Sequence, residues 1–145
     1  MSDYDELDDL PAEELLAWSI RTFGRRFAIV TSFQRSGMVI VDMAARICSD
    51  VRLVTLDTGR LPPETYEMMD MVRQRYGLQV EAAMPDPLEV QEMVRRHGAN
   101  LFLADPALRM LCCQIRKVRP LERKLRQFRA YAVGLRRLTS QDRNE

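Results

Sequence analysis

The sequence predicts an α/β protein, an open parallel sheet with helices on both faces, and three observations carry that reading. Short apolar runs of strand length alternate with longer stretches whose apolar residues recur at helical spacing, a pattern that produces right-handed β-α-β crossovers and parallel strands. Gly77 and Gly98 stand just past two of the amphipathic stretches, where helix C-caps belong. A length of 145 residues suits one domain, taken as 1–145, and 46% apolar with 30% charged residues supports a packed core over disorder.

The elements follow in order. Pro11 to Ile20 reads as an N-terminal helix, with Asp9 near its cap, Pro11 in its first turn, Glu13 and Glu14 favourable to its dipole, and Leu15, Trp18 and Ile20 as its apolar stripe. Phe27 to Thr31 is a continuous apolar run of strand length, and Gly37 to Ile47 is the helix after it. Val51 to Leu56 is the second strand, Pro63 to Tyr76 the next helix, Leu78 to Ala83 the third strand and Pro87 to His97 its helix. Pro106 to Phe128 reads as two helices separated by Pro120, forming an appended layer, and Ala130 to Val133 as the last strand. The final dozen residues are polar and are expected to fray.

Composition excludes several classes of function. Lys and Arg number 22 against 21 Asp and Glu, so there is no global field to draw the chain onto nucleic acid or an anionic membrane, and any anion site is local. No apolar run approaches the roughly 18 residues of a membrane span. The acidic N-terminus is unlike a secretory signal, which makes a cytoplasmic location the expectation. Three cysteines, an odd number, argue against a disulfide framework and agree with a reducing compartment.

Ligands of such sheets bind beyond the carboxyl ends of the strands, near the switch in strand order, so the loops starting at Ser32, Asp57 and Gly134 matter most. The first, Thr31-Ser-Phe-Gln-Arg-Ser-Gly37, enters a helix and offers N–H groups and hydroxyls to an anion, although a Ser-rich cap would look the same. It matches neither the Walker loop nor the dinucleotide fingerprint. The second, Leu56-Asp-Thr-Gly-Arg-Leu-Pro62, is suited to a ribose or nucleobase, and equally to a turn in which Asp57 caps and Gly59 takes a positive φ. After the last strand, Gly134-Leu-Arg-Arg-Leu-Thr-Ser-Gln-Asp-Arg143 places Arg136, Arg137 and Arg143 where forked hydrogen bonds could hold phosphate or sulfate oxygens, or form a solvated basic tail.

The remaining chemistry lies in Leu108 to Pro120. If this is helical, Leu108, Leu111, Ile115 and Val118 form its buried stripe, while Arg109, Arg116 and Lys117 lie on the face of Cys113. Cations favour the thiolate, the form that binds metals or attacks electrophiles. Cys112 and Cys113 are still only two thiols, whereas structural zinc or a 4Fe-4S cluster takes four protein ligands. Cys48 reads as a small buried hydrophobe, and His97, the only histidine, as a C-terminal dipole partner.

Four segments together, Leu56-Asp-Thr-Gly-Arg-Leu-Pro-Pro-Glu-Thr65, His97-Gly-Ala-Asn-Leu-Phe102, Cys112-Cys-Gln-Ile-Arg-Lys-Val-Arg-Pro-Leu121 and Gly134-Leu-Arg-Arg137, resemble the assimilatory sulfonucleotide reductases. The resemblance implies an adenine nucleotide alpha-hydrolase-like fold that reduces adenylyl sulfate, or phosphoadenylyl sulfate, to sulfite and AMP, or its 3'-phosphorylated form, with thioredoxin or glutaredoxin as donor. It implies that Ser32, Phe33, Leu56, Asp57, Thr58, Gly59, Arg60 and Gly134 surround the nucleotide and that Arg136, Arg137 and Arg143 form the anion loop. Cys112 and Cys113 resemble the half-site for a 4Fe-4S cluster found in members that prefer the unphosphorylated substrate, with Lys117 between cluster and substrate.

The sequence departs from that family where Leu138-Thr139 replaces residues that usually include Gln, and where Ser-Phe-Gln-Arg-Ser-Gly replaces the usual Ser-Phe-Gly-Ala-Glu-Asp type of run. It also lacks the family's later Cys-x-x-Cys and its nucleophilic cysteine. The isolated chain is therefore expected to bind nucleotide without turnover and to hold the cluster incompletely or not at all, and apolar side chains left exposed between Phe102 and Val133 are expected to make it self-associate as a homo-oligomer or be marginally stable. The alternative is a non-catalytic adenine-nucleotide-binding or redox- and metal-responsive module.

Overall fold

The structure, a computed structural model, describes residues 4–134. Helix α1 spans Ala12–Phe23 and leads through a 3-10 turn into strand β1, Phe27–Val30. Then come α2, Arg35–Ile47, β2, Arg52–Leu56, α3, Pro63–Tyr76, β3, Val80–Ala83, and α4, Pro87–His97. Helix α5, Pro106–Cys113, runs through a π-helical turn, Gln114–Val118, into α6, Arg119–Leu125, and β4 closes the described chain at Ala130–Val133.

The four strands are all parallel, in the order β3-β2-β1-β4. The first two crossovers carry the chain outward from β1, and the last returns it to the other side of β1. The strand order therefore reverses between β1 and β4, which fixes where a crevice opens at the carboxyl ends. Register places Phe27 and Ile29 on one face with Leu53, Ala130 and Ala132. That face packs under α1, α2 and α3 through Leu16, Val41, Ala44 and Val72, all buried. On the opposite face, Glu81 of β3 meets Lys124 of α6 at 2.8 Å. A second, smaller core joins Met93 of α4, Leu101, and Cys112 and Ile115 of the π-turned helix.

Local chemistry explains the helix ends. Asp86 accepts hydrogen bonds from the N–H groups of Leu88 and Glu89, Asp105 accepts one from Leu108, and Gly77 closes α3 in the left-handed region. At α1 the expected start is corrected: Pro11 itself occupies the cap position with extended ψ 151°, outside the helix, and Asp9 lies further upstream. Proline loses nothing there, because the N–H it lacks would have had no helical partner. Helix α2 starts at Arg35, two residues before the expected Gly37.

Pro120 does not separate two helices. The backbone stays right-handed helical through Gln114, Val118 and Arg119, so one continuous helix, interrupted only by a π turn, runs from Pro106 to Leu125. The physical reason is the π turn immediately before the proline. Its wider i→i+5 spacing makes room for the pyrrolidine ring, which would otherwise strike the carbonyl four residues back.

Candidate functional site

The crevice is built by close backbone approach. Thr31 leaves β1 by donating its N–H to the Val54 carbonyl at 3.0 Å, and its Oγ1 accepts the N–H of Phe33, also at 3.0 Å. Phe33 takes φ 63°, the one positive φ outside glycine among the described residues, and its ring is buried in the main core. The buried ring holds the turn in a conformation that would otherwise be disfavoured. At Gly37 a Cβ would overlap the Thr31 hydroxyl. A Cβ on Gly134 would stand 2.5 Å from the Gly37 nitrogen and 2.7 Å from the Ser36 carbonyl carbon, so the end of β4 touches the first turn of α2.

Above these contacts lies a cavity of about 410 Å³ at the strand-order switch. Of the residues expected around a nucleotide, Ser32, Leu56, Thr58 and Gly134 line it, and Lys117 reaches it from the π turn. Ser36 and Gly37 bring the positive end of α2 to its wall.

The other expected residues have different positions. Phe33 faces the core, as above. Asp57 is buried, and its Oδ1 accepts the Gly59 N–H at 2.9 Å and the Tyr66 hydroxyl at 2.8 Å. The carboxylate beside it pushes the Tyr66 phenol above its usual range. Gly59 takes φ 78°, so at Asp57 and Gly59 the loop is the capped turn, while Leu56 and Thr58 on either side of Asp57 line the cavity. Arg60 turns away, donating to the Ala99 carbonyl at 3.0 Å and Asn100 Oδ1 at 2.8 Å, with its guanidinium over the Phe102 ring. That fastening gives the His97–Phe102 segment its structural role. Arg136, Arg137 and Arg143 lie outside the described residues.

A second cavity, about 480 Å³, opens on the other side of Thr58, Leu61 and Lys117, which line both. Cys112, Cys113, Arg109, Arg116 and Phe102 contribute to it, and so does Arg60, which is absent from the first cavity but lines this one. The two thiols differ: Cys112 is buried in the second core and Cys113 is exposed. Cys112 thus takes a place in the apolar stripe beside Ile115, while Leu108, Leu111 and Val118 are only half-buried. Arg116, which lines only this second cavity, ties it to the shared wall, its Nη1 donating to the Thr58 carbonyl at 2.8 Å.

Cys48 is far from this site, beyond α2, and donates to Asp50 Oδ1 at 3.0 Å. It is half-buried instead of sealed in the core, and its hydrogen bond to Asp50 raises its pKa. His97 ends α4 and is exposed. Among the described residues no three His, Cys, Asp or Glu side chains gather as a metal site. Two cysteines, with the third remote, do not fit a closed four-thiolate cluster. Sequence reasoning missed the wall formed by Leu61 and Leu121 and the Arg116 bond to Thr58. Glycines opposite each other at Gly37 and Gly134 were the available signal for the close approach.

A parallel sheet wrapped by helices, with its cavity at the β1/β4 reversal, defines a doubly wound α/β protein of the adenine nucleotide alpha-hydrolase-like class. More particularly, the chain belongs to the phosphoadenosine phosphosulfate reductase domain family, whose model matches residues 26–145. It is 39% identical over 131 residues to an adenosine 5'-phosphosulfate reductase of Pseudomonas aeruginosa (strain LESB58), covering 90% of this chain and 48% of that protein. It is 36% identical over 134 residues to adenosine 5'-phosphosulfate reductase 2 of Bacillus subtilis (strain 168), covering 92% and 52%. The chain thus spans about half the length of the curated relatives it matches. Its fold is similar to that of a phosphoadenylyl-sulfate reductase from Candida auris in a phosphate complex, with TM-score 0.76, 28% identity, and coverage of 90% of this chain and 64% of that one. No helix among the described residues is long and apolar enough to cross a membrane.

Proposed function

We propose that the chain is the nucleotide-binding part of a cytoplasmic oxidoreductase of sulfate assimilation, which reduces adenylyl sulfate to sulfite and AMP with electrons from a thioredoxin or glutaredoxin. The observation that carries this reading is the shared wall: Thr58, Leu61 and Lys117 border both the strand-end cavity and the cavity of Cys112 and Cys113. A nucleotide in the first cavity would extend its anionic end toward the second. The donor dithiol becomes a disulfide as its two electrons enter the sulfur, and the S–O bond to AMP breaks.

In this reading Leu56, Thr58 and Gly134 contact the adenosine, and Ser32 with the N–H groups opening α2 meets the phosphate. Lys117 supplies a mobile cation for the sulfate, joined by Arg136, Arg137 and Arg143. Cys112 and Cys113 would give two of the four thiolates of a 4Fe-4S cluster, and no step is assigned to a group this chain holds only by half. None of the three cysteines is assigned as nucleophile, so the isolated chain binds nucleotide without turning it over. Adenylyl sulfate is preferred over its phosphorylated relative because the curated relatives compared above carry that name and the paired cysteines resemble those of enzymes using it.

Calorimetry tests the proposal. The chain releases heat with AMP and with adenylyl sulfate, and Lys117→Ala weakens adenylyl sulfate about tenfold while changing AMP little, as loss of one charge-assisted contact requires. No heat from either ligand at millimolar concentration overturns it. A second reading, a metal-responsive module, is favoured by one exposed and one buried thiol sharing a cavity. Metal analysis after anaerobic purification separates the two, since a metal-free chain that still binds AMP removes the second.

A further inference from the structure

We infer that Arg116 is a positioning residue, which fixes the wall between the two cavities by holding the backbone of Thr58. The inference rests on the nucleotide reading for its consequence, since one of those cavities is the proposed nucleotide site. Its geometry is independent of that reading. Arg116 lies in the π turn, three residues beyond Cys113, and its Nη1 donates to the Thr58 carbonyl at 2.8 Å, a contact between residues 58 positions apart. The same nitrogen stands 3.4 Å from where a Cβ on Gly59 would lie, so the guanidinium packs directly on the loop.

The loop has few other anchors on this side. Asp57 and Thr58 Oγ1 satisfy the N–H groups of Gly59 and Arg60 from within the loop, and Arg60 fastens it toward Asn100 on the side of the second core. Arg116 is the tie to the helix that carries the cysteines. Its Nε is buried with no hydrogen-bond partner among the described residues, so the guanidinium is oriented by its Nη1 bond to Thr58 and by its packing on the loop. The π turn supplies that geometry. Its added width alters the angular offset between Cys113 and the residues that follow, letting Arg116 reach the loop while Lys117 stays exposed at the edge of both cavities. The Thr58 carbonyl, in the wall of both cavities, is thereby tied to the helix that carries the thiols.

Amide hydrogen exchange on the whole chain, without nucleotide, tests the tie directly. Arg116→Met keeps the aliphatic stem and removes the donors; the peptide covering 56–61 then exchanges about tenfold faster while β1 and α2 keep native protection. Arg116→Lys, with the charge and one donor, lies between, about threefold faster, and carries the test alone if Arg116→Met does not fold. A native exchange rate in the loop, or acceleration spread evenly into β1 and α2, overturns the inference. The nucleotide reading fails separately, by absence of AMP binding to the native chain, and AMP titrated into Arg116→Met binds several-fold more weakly if both stand.

Discussion

Gly134 carries the sharpest steric requirement in the molecule. The atoms a Cβ would meet are backbone of Ser36 and Gly37, which cannot rotate aside as a side-chain tip would. Gly134→Ala is expected to cost about 3 kcal/mol as β4 and α2 are forced apart. Thermal unfolding should show Tm lower by roughly 10 °C, with AMP affinity falling more than tenfold because both displaced segments line the cavity. At this scale the sequence was legible where a residue's role follows from its neighbours along the chain. Thr58, Ser32 and Gly134 lie at strand ends, and strand ends can be read from apolar runs. Asp57 and Phe33 show the limit: both sit in the right loops, yet one carboxylate is consumed by Gly59 and Tyr66 and one ring by the core. The direction of a side chain in a loop depends on tertiary partners that spacing does not encode.

Elements were legible in proportion to the strength of their stop signals. Pro63 and Gly77 bound α3, and Pro87 and Gly98 bound α4, as the sequence indicates. The helix through Pro120 was not, because the π turn that tolerates the proline has no marker in composition. Pairing between elements is likewise invisible before folding, and Glu81 is the clearest case. It lies on β3 with Arg52 of β2 at 2.6 Å and Lys124 of α6 at 2.8 Å, and Arg52 also sits over the Phe128 ring. The Arg52 hydrogen bonds, helped by Lys124, hold its pKa down to about 2 from 4.5. A carboxyl with a depressed native pKa stabilises the fold above its unfolded value and loses that contribution as protons are taken up. Glu81→Gln is therefore expected to cost about 1–2 kcal/mol at neutral pH, allowing for solvent screening. In urea unfolding, the gap to the native chain should close as pH falls from about 4.5 toward about 2. A gap that persists at pH 2 would assign the loss to packing instead of charge.

Across the whole molecule, the two edges of the sheet are unequal. At β3, Glu81 and its cations put charge on the edge strand, one of the devices that discourages further pairing. At β4 the strand is Ala-Tyr-Ala-Val, without charge or proline, and Tyr131 is 52% exposed. A groove of about 690 Å³ runs beside it, lined chiefly by Leu15, Trp18, Phe23, Tyr131 and Val133, with Ser19 and the exposed Arg129. Among the described residues nothing covers this edge, and a largely apolar trough along it favours pairing with a second copy of the chain. Charge offers a competing route, because the first 14 residues hold seven acids and no base while Arg119 and Arg123 of α6 and Arg126 just past it lie exposed. Salt separates the routes, since association between exposed charges weakens as the Debye length shortens and burial of the apolar edge does not. Sedimentation velocity is expected to show self-association at tens of micromolar that survives roughly 0.5 M salt and is lost in Tyr131→Lys. A chain monomeric at every concentration, or one dissociated by salt alone, would place the exposed edge outside any interface between copies.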